Sequence, residues 1–278
     1  MFSFLSDFFA KKQIDCYGFI PLDECQIVRP YLLERAGIEN TGTVCMLAVP
    51  YYTPNCDQED RNLSAYAVSE DYHLFYKELF EELIPLLKET FPQHYFAGFA
   101  DHSPINEIDA AARAGLGVMG KNHLLLTEKY SSYIFLGEII TDAILPCQAK
   151  EINFCEDCGA CNRVCPMQSC GICLSALTQK KGELTDQEKQ LILDHGCAWG
   201  CDLCQEVCPH TKRAKASGSL YSPIDFFAKD PIAHLTEAEL SALSDEAFSK
   251  KAFSWRGRET IARNLRLFEN KQKEESSC

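Results

Sequence analysis

Between Cys155 and Cys208 the chain carries thiols at a spacing that could hold iron and sulfide. The order is Cys155-x2-Cys158-x2-Cys161-x3-Cys165-Pro166, then Cys170, Cys173 and Cys197, then Cys201-x2-Cys204-x3-Cys208-Pro209. In the first of these patterns three thiolates hold one 4Fe-4S cube, and the fourth, before proline, reaches across to a second. The repeated Cys-Pro ending therefore predicts two cubes. Cys155, Cys158, Cys161 and Cys208 are expected on the first, and Cys165, Cys201 and Cys204 on three corners of the second. A complete second run would carry its remaining ligand at position 198, which is alanine, so the eighth thiolate must come from Cys170, Cys173 or Cys197. Cys173 is favoured, because the stretch from Leu174 to Thr178 can form a helix that steadies it. Zinc would need only four of these thiolates in a closed tetrahedron, and the doubled x3-Cys-Pro ending is not a zinc-ribbon pattern. Disulfides fit less well: the N-terminus shows no charged-then-apolar signal peptide, and a reducing compartment leaves thiols free for metal. A cytoplasmic location is expected.

The elements that must position these residues follow from composition. With 278 residues, 46% of them apolar, the chain can bury a substantial core. Its longest apolar stretches, residues 42–52 and 133–140, are too short to span a bilayer, so no membrane segment is expected. The net charge of −13 argues against broad electrostatic capture of nucleic acid but leaves room for a local basic patch. Eleven of the 16 cysteines lie between Cys147 and Cys208. That distribution suggests a cysteine-poor α/β segment 1–146, a cluster module 147–215 and a helical tail 216–278.

Within the first segment, Thr43 to Val49 reads as a buried strand ending at Pro50. Asp71 to Lys88 carries apolar residues at helical intervals, with Pro85 expected to kink or end the helix. Tyr95 to Ala100 is a second strand candidate, followed by a helix from Ile105 to Ala114 with Gly115 at its C-terminal cap. His123 to Thr127 and Tyr133 to Thr141 read as a hairpin around Glu128–Ser131. The alternation of strands and helices points to an α/β domain. The tail should hold two or three helices. The last, Arg258 to Asn270, reads as amphipathic with a solvated basic face, a substrate-binding role for its arginines being the alternative, and Glu269 to Ser277 reads as disordered.

A cluster module moves electrons but supplies no substrate chemistry, so the first segment must supply it or dock a partner that does. Here Asp101-His102-Ser103-Pro104 is followed by Ala114-Gly115-Leu116-Gly117-Val118-Met119-Gly120-Lys121-Asn122 and Phe135-Leu136-Gly137-Glu138. In this order, and with Tyr66-Ala67, Asp71-Tyr72-His73 and the motif from Gly200 to Pro209, the sequence over roughly residues 40–210 resembles the epoxyqueuosine reductase family. Joint order makes the match far more specific than any single motif.

The resemblance implies a cobalamin-dependent reductase in which two 4Fe-4S clusters feed the cobalt. Its substrate would be epoxyqueuosine in the anticodon loop of tRNA, reduced to queuosine. It also implies an α/β (α+β) cobalamin-binding domain joined to a ferredoxin-like double-cluster domain. Asp101 occupies the position of the proton donor, and Asp202 sits beside the second cluster facing the corrin. Cys173 is the eighth ligand in that family as well. Gly117 is a candidate for close backbone approach to the flat cofactor, Lys121 for a polar contact and Tyr66 for the pocket wall, although each has an ordinary packing or surface reading. An external donor such as a flavodoxin or ferredoxin would supply electrons.

Ser103 stands where members usually carry glycine, and His102 adds a titratable group beside the expected acid. The chain is read as a short form without the C-terminal helical-repeat region of long members. A related small-molecule substrate, or a two-cluster electron carrier without its own substrate, are the alternatives. A pure carrier would not need about 140 residues of additional domain bearing a proton-donor motif.

Overall fold

The computed structural model describes residues 1–168 and 172–276, so Cys170 lies outside the described residues. The chain forms two compact units that alternate along the sequence. Unit 1 is Met1–Pro50, Tyr72–Gly159 and Pro209–Ile224, and unit 2 is Tyr51–Asp71, Ala160–Cys208 and Asp225–Cys278. These passages differ from the boundaries near 146 and 215 that cysteine distribution alone suggests. Among the described residues no helix is long and apolar enough to cross a membrane.

Unit 1 is built on a four-stranded sheet, so the chain mixes α and β structure as expected. The strands are β1 (Tyr17–Pro21), β2 (Thr43–Pro50), β3 (Phe96–Phe99) and, after the short pair β4 (Val118–Met119) and β5 (Leu125–Leu126), β6 (Ile134–Thr141). Their order is β1-β2-β6-β3, and every neighbouring pair is antiparallel. β2 is buried along its whole length, which accounts for its unbroken apolar run. One face packs Val44, Met46, Ala48 and Ile140 against Ala110, Ala111 and Ala112 of the helix Glu107–Arg113. The small alanines let that helix lie close to the strands. Asn106 caps it by accepting a hydrogen bond from the Asp109 amide, and Gly115 follows it in the left-handed region at φ 84°.

Two expectations are corrected. The segments around residues 128–131 do not form a hairpin: β5 pairs with β4, and β6 is enclosed between β2 and β3. A single bridge between Thr127 and Ser131 is the remnant of the turn. Both edges of β6 are taken by longer-range partners, so no edge is left for the local one. Pro85 does not end its helix, which runs Tyr72–Thr90. Leu83 and Leu87, both buried, clamp it on either side of the proline, and burial outweighs the one lost hydrogen bond.

Unit 2 consists of short helices and one long one, Arg258–Ser276, around two small cores. The larger contains Leu63, Trp199, Phe253, Ile261 and Leu265, and the smaller Met167, Leu174, Leu177, Leu184 and Ile192. Buried Asn264 joins its parts by donating to the carbonyls of Thr178 at 2.7 Å and Ala198 at 2.8 Å. The last helix extends to Ser276, beyond the expected limit at Asn270. Its arginines brace unit 2: Arg258 donates to the carbonyls of Leu240 and Leu243, Arg263 to those of Lys180 and Gly182, and Arg266 pairs with Glu237 and Glu259.

Close packing on β6 explains the glycine at 137, where an added Cβ would stand 2.4 Å from the Tyr76 ring. Gly137→Ala should therefore destabilise unit 1 by about 1–3 kcal/mol through overpacking, measured as a lowered denaturation midpoint. An unchanged midpoint would contradict this packing.

Candidate active site and thiol cluster

Asp101 follows β3 on a turn that holds it at φ 64°, a conformation that costs a non-glycine residue of order 1–3 kcal/mol unless its surroundings enforce it. The enforcement comes from both sides. The His102 amide donates to the Ala100 carbonyl at 2.8 Å, and the Pro104 carbonyl accepts from the amides of Val28 and Arg29 at 2.8 and 3.0 Å. The Arg29 guanidinium donates to the Ser103 carbonyl at 2.8 Å. The Asp101 amide itself donates to Glu107 Oε1 at 3.2 Å.

The Asp101 carboxylate faces His73, with Oδ2 3.7 Å from Nε2 and the two side chains 71% and 50% exposed. So open a pair adds little stability, which leaves the carboxyl presented to solvent. His73 adjoins Tyr72, whose ring stacks on Phe135 of β6 at 4.1 Å and 9°. The result is a half-buried flat aromatic face beside an acid. His102, the neighbouring candidate for proton supply, turns instead to the Tyr31 hydroxyl at 2.9 Å.

Behind the turn lie two more carboxyls that motif reading did not single out as functional. Glu138, in the middle of β6, is fully buried. The Ser103 hydroxyl donates to its Oε1, and its Oε2 is buried with no hydrogen-bond partner among the described residues. Burial, then the charge of Glu107, pushes the Glu138 carboxyl well above the usual range. Burial likewise raises Glu107 to about 7, although the hydrogen bond from the Asp101 amide opposes the rise. The available signal was a glutamate inside the apolar run from Tyr133 to Thr141.

The other proposed cofactor contacts each have a structural partner. Gly117 backs onto β5, where a Cβ would stand 2.3 Å from the Leu126 carbonyl oxygen, so local packing by itself requires glycine there. The Lys121 ammonium pairs with Asp157, and its amide donates to Cys155 Sγ at 3.4 Å. In unit 2, the Tyr66 hydroxyl accepts from Gln179 Nε2 at 3.1 Å. Buried Asp202 takes Arg61 Nη1 at 2.6 Å, the Ala65 amide at 2.7 Å and Gln205 Nε2 at 3.2 Å.

Cys155 and Cys158 belong to unit 1, and Cys161, Cys165, Cys173, Cys201, Cys204 and Cys208 to unit 2. Cys165 and Cys201 pack against the same small core as Leu174, and Cys173 is the N-cap of the helix Leu174–Thr178. Burial, opposed by the hydrogen bond from the Leu203 backbone and helped by nearby Asp202, Cys204 and Cys173, pushes the Cys201 thiol up to about 12. Holding such neighbours as thiolates requires a strongly bound cation, which fits iron. Among the described residues no three His, Cys, Asp or Glu side chains converge on a single metal ion. Cys197, the other described candidate for eighth ligand, is buried and donates its thiol hydrogen to the Trp199 carbonyl at 3.2 Å.

A family model described as "Epoxyqueuosine reductase QueG, DUF1730" matches residues 35–102. An epoxyqueuosine reductase of Cyclobacterium marinum is 30% identical over 256 residues, covering 85% of this chain and 79% of that protein. One from Listeria monocytogenes is 33% identical over 209 residues, covering 70% of this chain and 53% of its own length. The chain thus spans about half the length of that relative. A crystal structure of epoxyqueuosine reductase with an epoxyqueuosine-modified tRNA-Tyr stem loop superposes with a TM-score of 0.73 at 23% identity, over 96% of this chain and 81% of that one. The fold is shared.

Two outcomes are expected. Arg61→Ala should cost about 3–5 kcal/mol because it strands the buried Asp202 charge, and adding Asp202→Asn should recover part of that loss in denaturant titrations. An additive double variant would refute the coupling. The second concerns pH. Because Glu107 is raised from 4.5 to about 7 and Glu138 is raised too, the folded state binds more protons than the unfolded state above 4.5. The Glu107 contribution is full below 4.5 and is lost as pH rises through about 7, and that of Glu138 also falls as pH rises above 4.5. Glu138→Gln should therefore flatten the fall in melting temperature across that window, whereas a parallel fall in both proteins would contradict it.

Proposed function

The chain belongs to the epoxyqueuosine reductase family, and from that premise we propose that it reduces epoxyqueuosine in tRNA to queuosine, with Asp101 as the general acid. The observation that carries the reading is the presentation of Asp101: a solvent-facing carboxyl on an enforced left-handed turn, beside His73 and the Tyr72–Phe135 face. The solved relative that holds an epoxyqueuosine-modified stem loop supports tRNA as the substrate.

Opening the epoxide to an alkene and water consumes two electrons and two protons. The carbon–oxygen bonds break, and the leaving oxygen must be protonated as they do so. A carboxyl placed at that oxygen performs this as general acid. Bound cobalamin would supply the reducing centre, and two 4Fe-4S clusters would carry electrons to it one at a time. The residues proposed for the first cluster are Cys155, Cys158, Cys161 and Cys208, and for the second Cys165, Cys173, Cys201 and Cys204. The hydrogen-bonded thiol of Cys197 supports Cys173 over it as the eighth. The Tyr72–Phe135 face suits a flat macrocycle, and Tyr66, Gly117, Lys121 and Asp202 are kept as contacts on the resemblance alone. A cobalamin-binding domain with a ferredoxin-like double-cluster module, an external flavodoxin or ferredoxin as donor, and a cytoplasmic location complete the proposal.

Asp101→Asn should retain about eight iron and eight sulfide per chain and its bound cobalamin, yet lose about 100-fold or more in turnover of epoxyqueuosine-containing tRNA. His102→Gln should stay near parental activity, since its ring is engaged with Tyr31. Full activity in Asp101→Asn would remove the acid from its role.

A further inference from the structure

Three side chains behind the Asp101 turn form an arrangement that general acid catalysis by Asp101 does not by itself require. Glu138 is fixed by β6, whose backbone places it opposite Met46 on one side and Phe99 on the other. Its Oε1 receives the Ser103 hydroxyl, while Oε2 is buried and unpartnered among the described residues. Glu107, in the first turn of its helix, is the neighbouring acid and receives the Asp101 amide on Oε1. Glu138 is fully buried and Glu107 half-buried, and the Glu107 side chain is within hydrogen-bonding reach of Glu138, so the charge of each opposes ionisation of the other.

We propose that Glu107 and Glu138 hold one proton between them at neutral pH, and that this makes Glu107 the positioning residue for Asp101. The proton resides on the deeper Glu138, where Oε2 lacks any other partner. Glu107 then remains an anion, and an anionic acceptor holds an amide more strongly than a neutral one. The Asp101 turn is thereby clamped with its carboxyl outward. The raised pKa of both acids agrees with a shared proton.

The groups facing the pair are consistent with this division. Arg29 favours the charged form of Glu107, Asp101 opposes it, and Cys25 near Glu138 is a thiol kept protonated by burial. Tyr76, from the helix Tyr72–Thr90, donates its hydroxyl to the Phe135 carbonyl and so does not compete for the proton. Ser103, the residue at which this chain departs from the usual family glycine, donates its hydroxyl to Glu138 Oε1 and also accepts from the Ile105 amide at 3.1 Å.

The inference rests on Asp101 as the acid, and two measurements separate the two ideas. The first is infrared spectroscopy of 13C-glutamate-labelled protein at neutral pH. It should show the carbonyl stretch of a protonated carboxyl that Glu138→Gln abolishes and Ser103→Gly shifts. This readout is independent of any role of Asp101. Absence of that band from the parent, or its persistence in Glu138→Gln, would overturn the shared proton. The second is the pH dependence of kcat. Glu107→Ala should lower kcat by about 10- to 100-fold, the scale of a misplaced catalytic group, with KM little changed. Glu107→Gln, which keeps the acceptor oxygen, should restore most of kcat but lose the parental ionisation near pH 7. Parental kcat in Glu107→Ala, or a parental pH profile in Glu107→Gln, would overturn the positioning role. Full activity in Asp101→Asn beside an intact carboxyl band would instead refute the acid and leave the pair standing.

Discussion

The arrangement of unit 1 depends on β6 being hydrogen-bonded along both edges, to β2 and to β3. A strand so enclosed can turn its side chains only to the two faces of the sheet, and everything near Asp101 follows from that alternation. Phe135 supports the Tyr72 ring, Gly137 makes room for Tyr76, and Glu138 is carried into the interior. β3, the neighbour on one side, leads directly into the Asp101 turn. An acid buried by sheet geometry and an acid exposed by turn geometry are thus brought to the same end of the unit.

Unit 2 meets a different demand. Cys165 and Cys201 pack against its smaller core, and polar anchors add order: Asn264 between the Thr178 and Ala198 carbonyls, and Asp202 between Arg61 and the Ala65 amide. The aspartate within the Cys201-Asp202-x-Cys204 motif fixes the backbone that carries two thiols. Side chains already held by such anchors lose less conformational freedom on binding any ligand. The motif therefore joins thiol and anchor in adjacent residues.

Legibility varied with how local the determining physics is. The β2 strand was readable because burial on both faces demands an unbroken apolar run, and the Tyr72–Thr90 helix because its apolar spacing is helical. Of the two expectations for Pro85, a kink or an end, the end does not occur, because the helix continues past it with Leu83 and Leu87 buried. The pairing of β6 was not readable as a hairpin problem at all, since its partners are distant in sequence. At the site, Asp101 stood out through its motif, but the direction of His102 toward Tyr31 and of Asp101 toward His73 depends on contacts 71 and 28 residues away. Glu107 and Glu138 were overlooked because each sits inside a pattern that reads as helix or strand. A charged residue in an otherwise buried strand is itself the clue, because such a group persists only with a compensating partner or proton.

The proposed removal of the epoxide oxygen from a nucleoside in tRNA, by this chain with clusters and cobalamin bound, is tested by mass spectrometry of nucleosides digested from epoxyqueuosine-containing tRNA after incubation with the anaerobically reduced full chain. Conversion to queuosine is expected, with loss of one oxygen from the modified nucleoside. Unchanged epoxyqueuosine in the presence of demonstrably reduced cobalamin would contradict it.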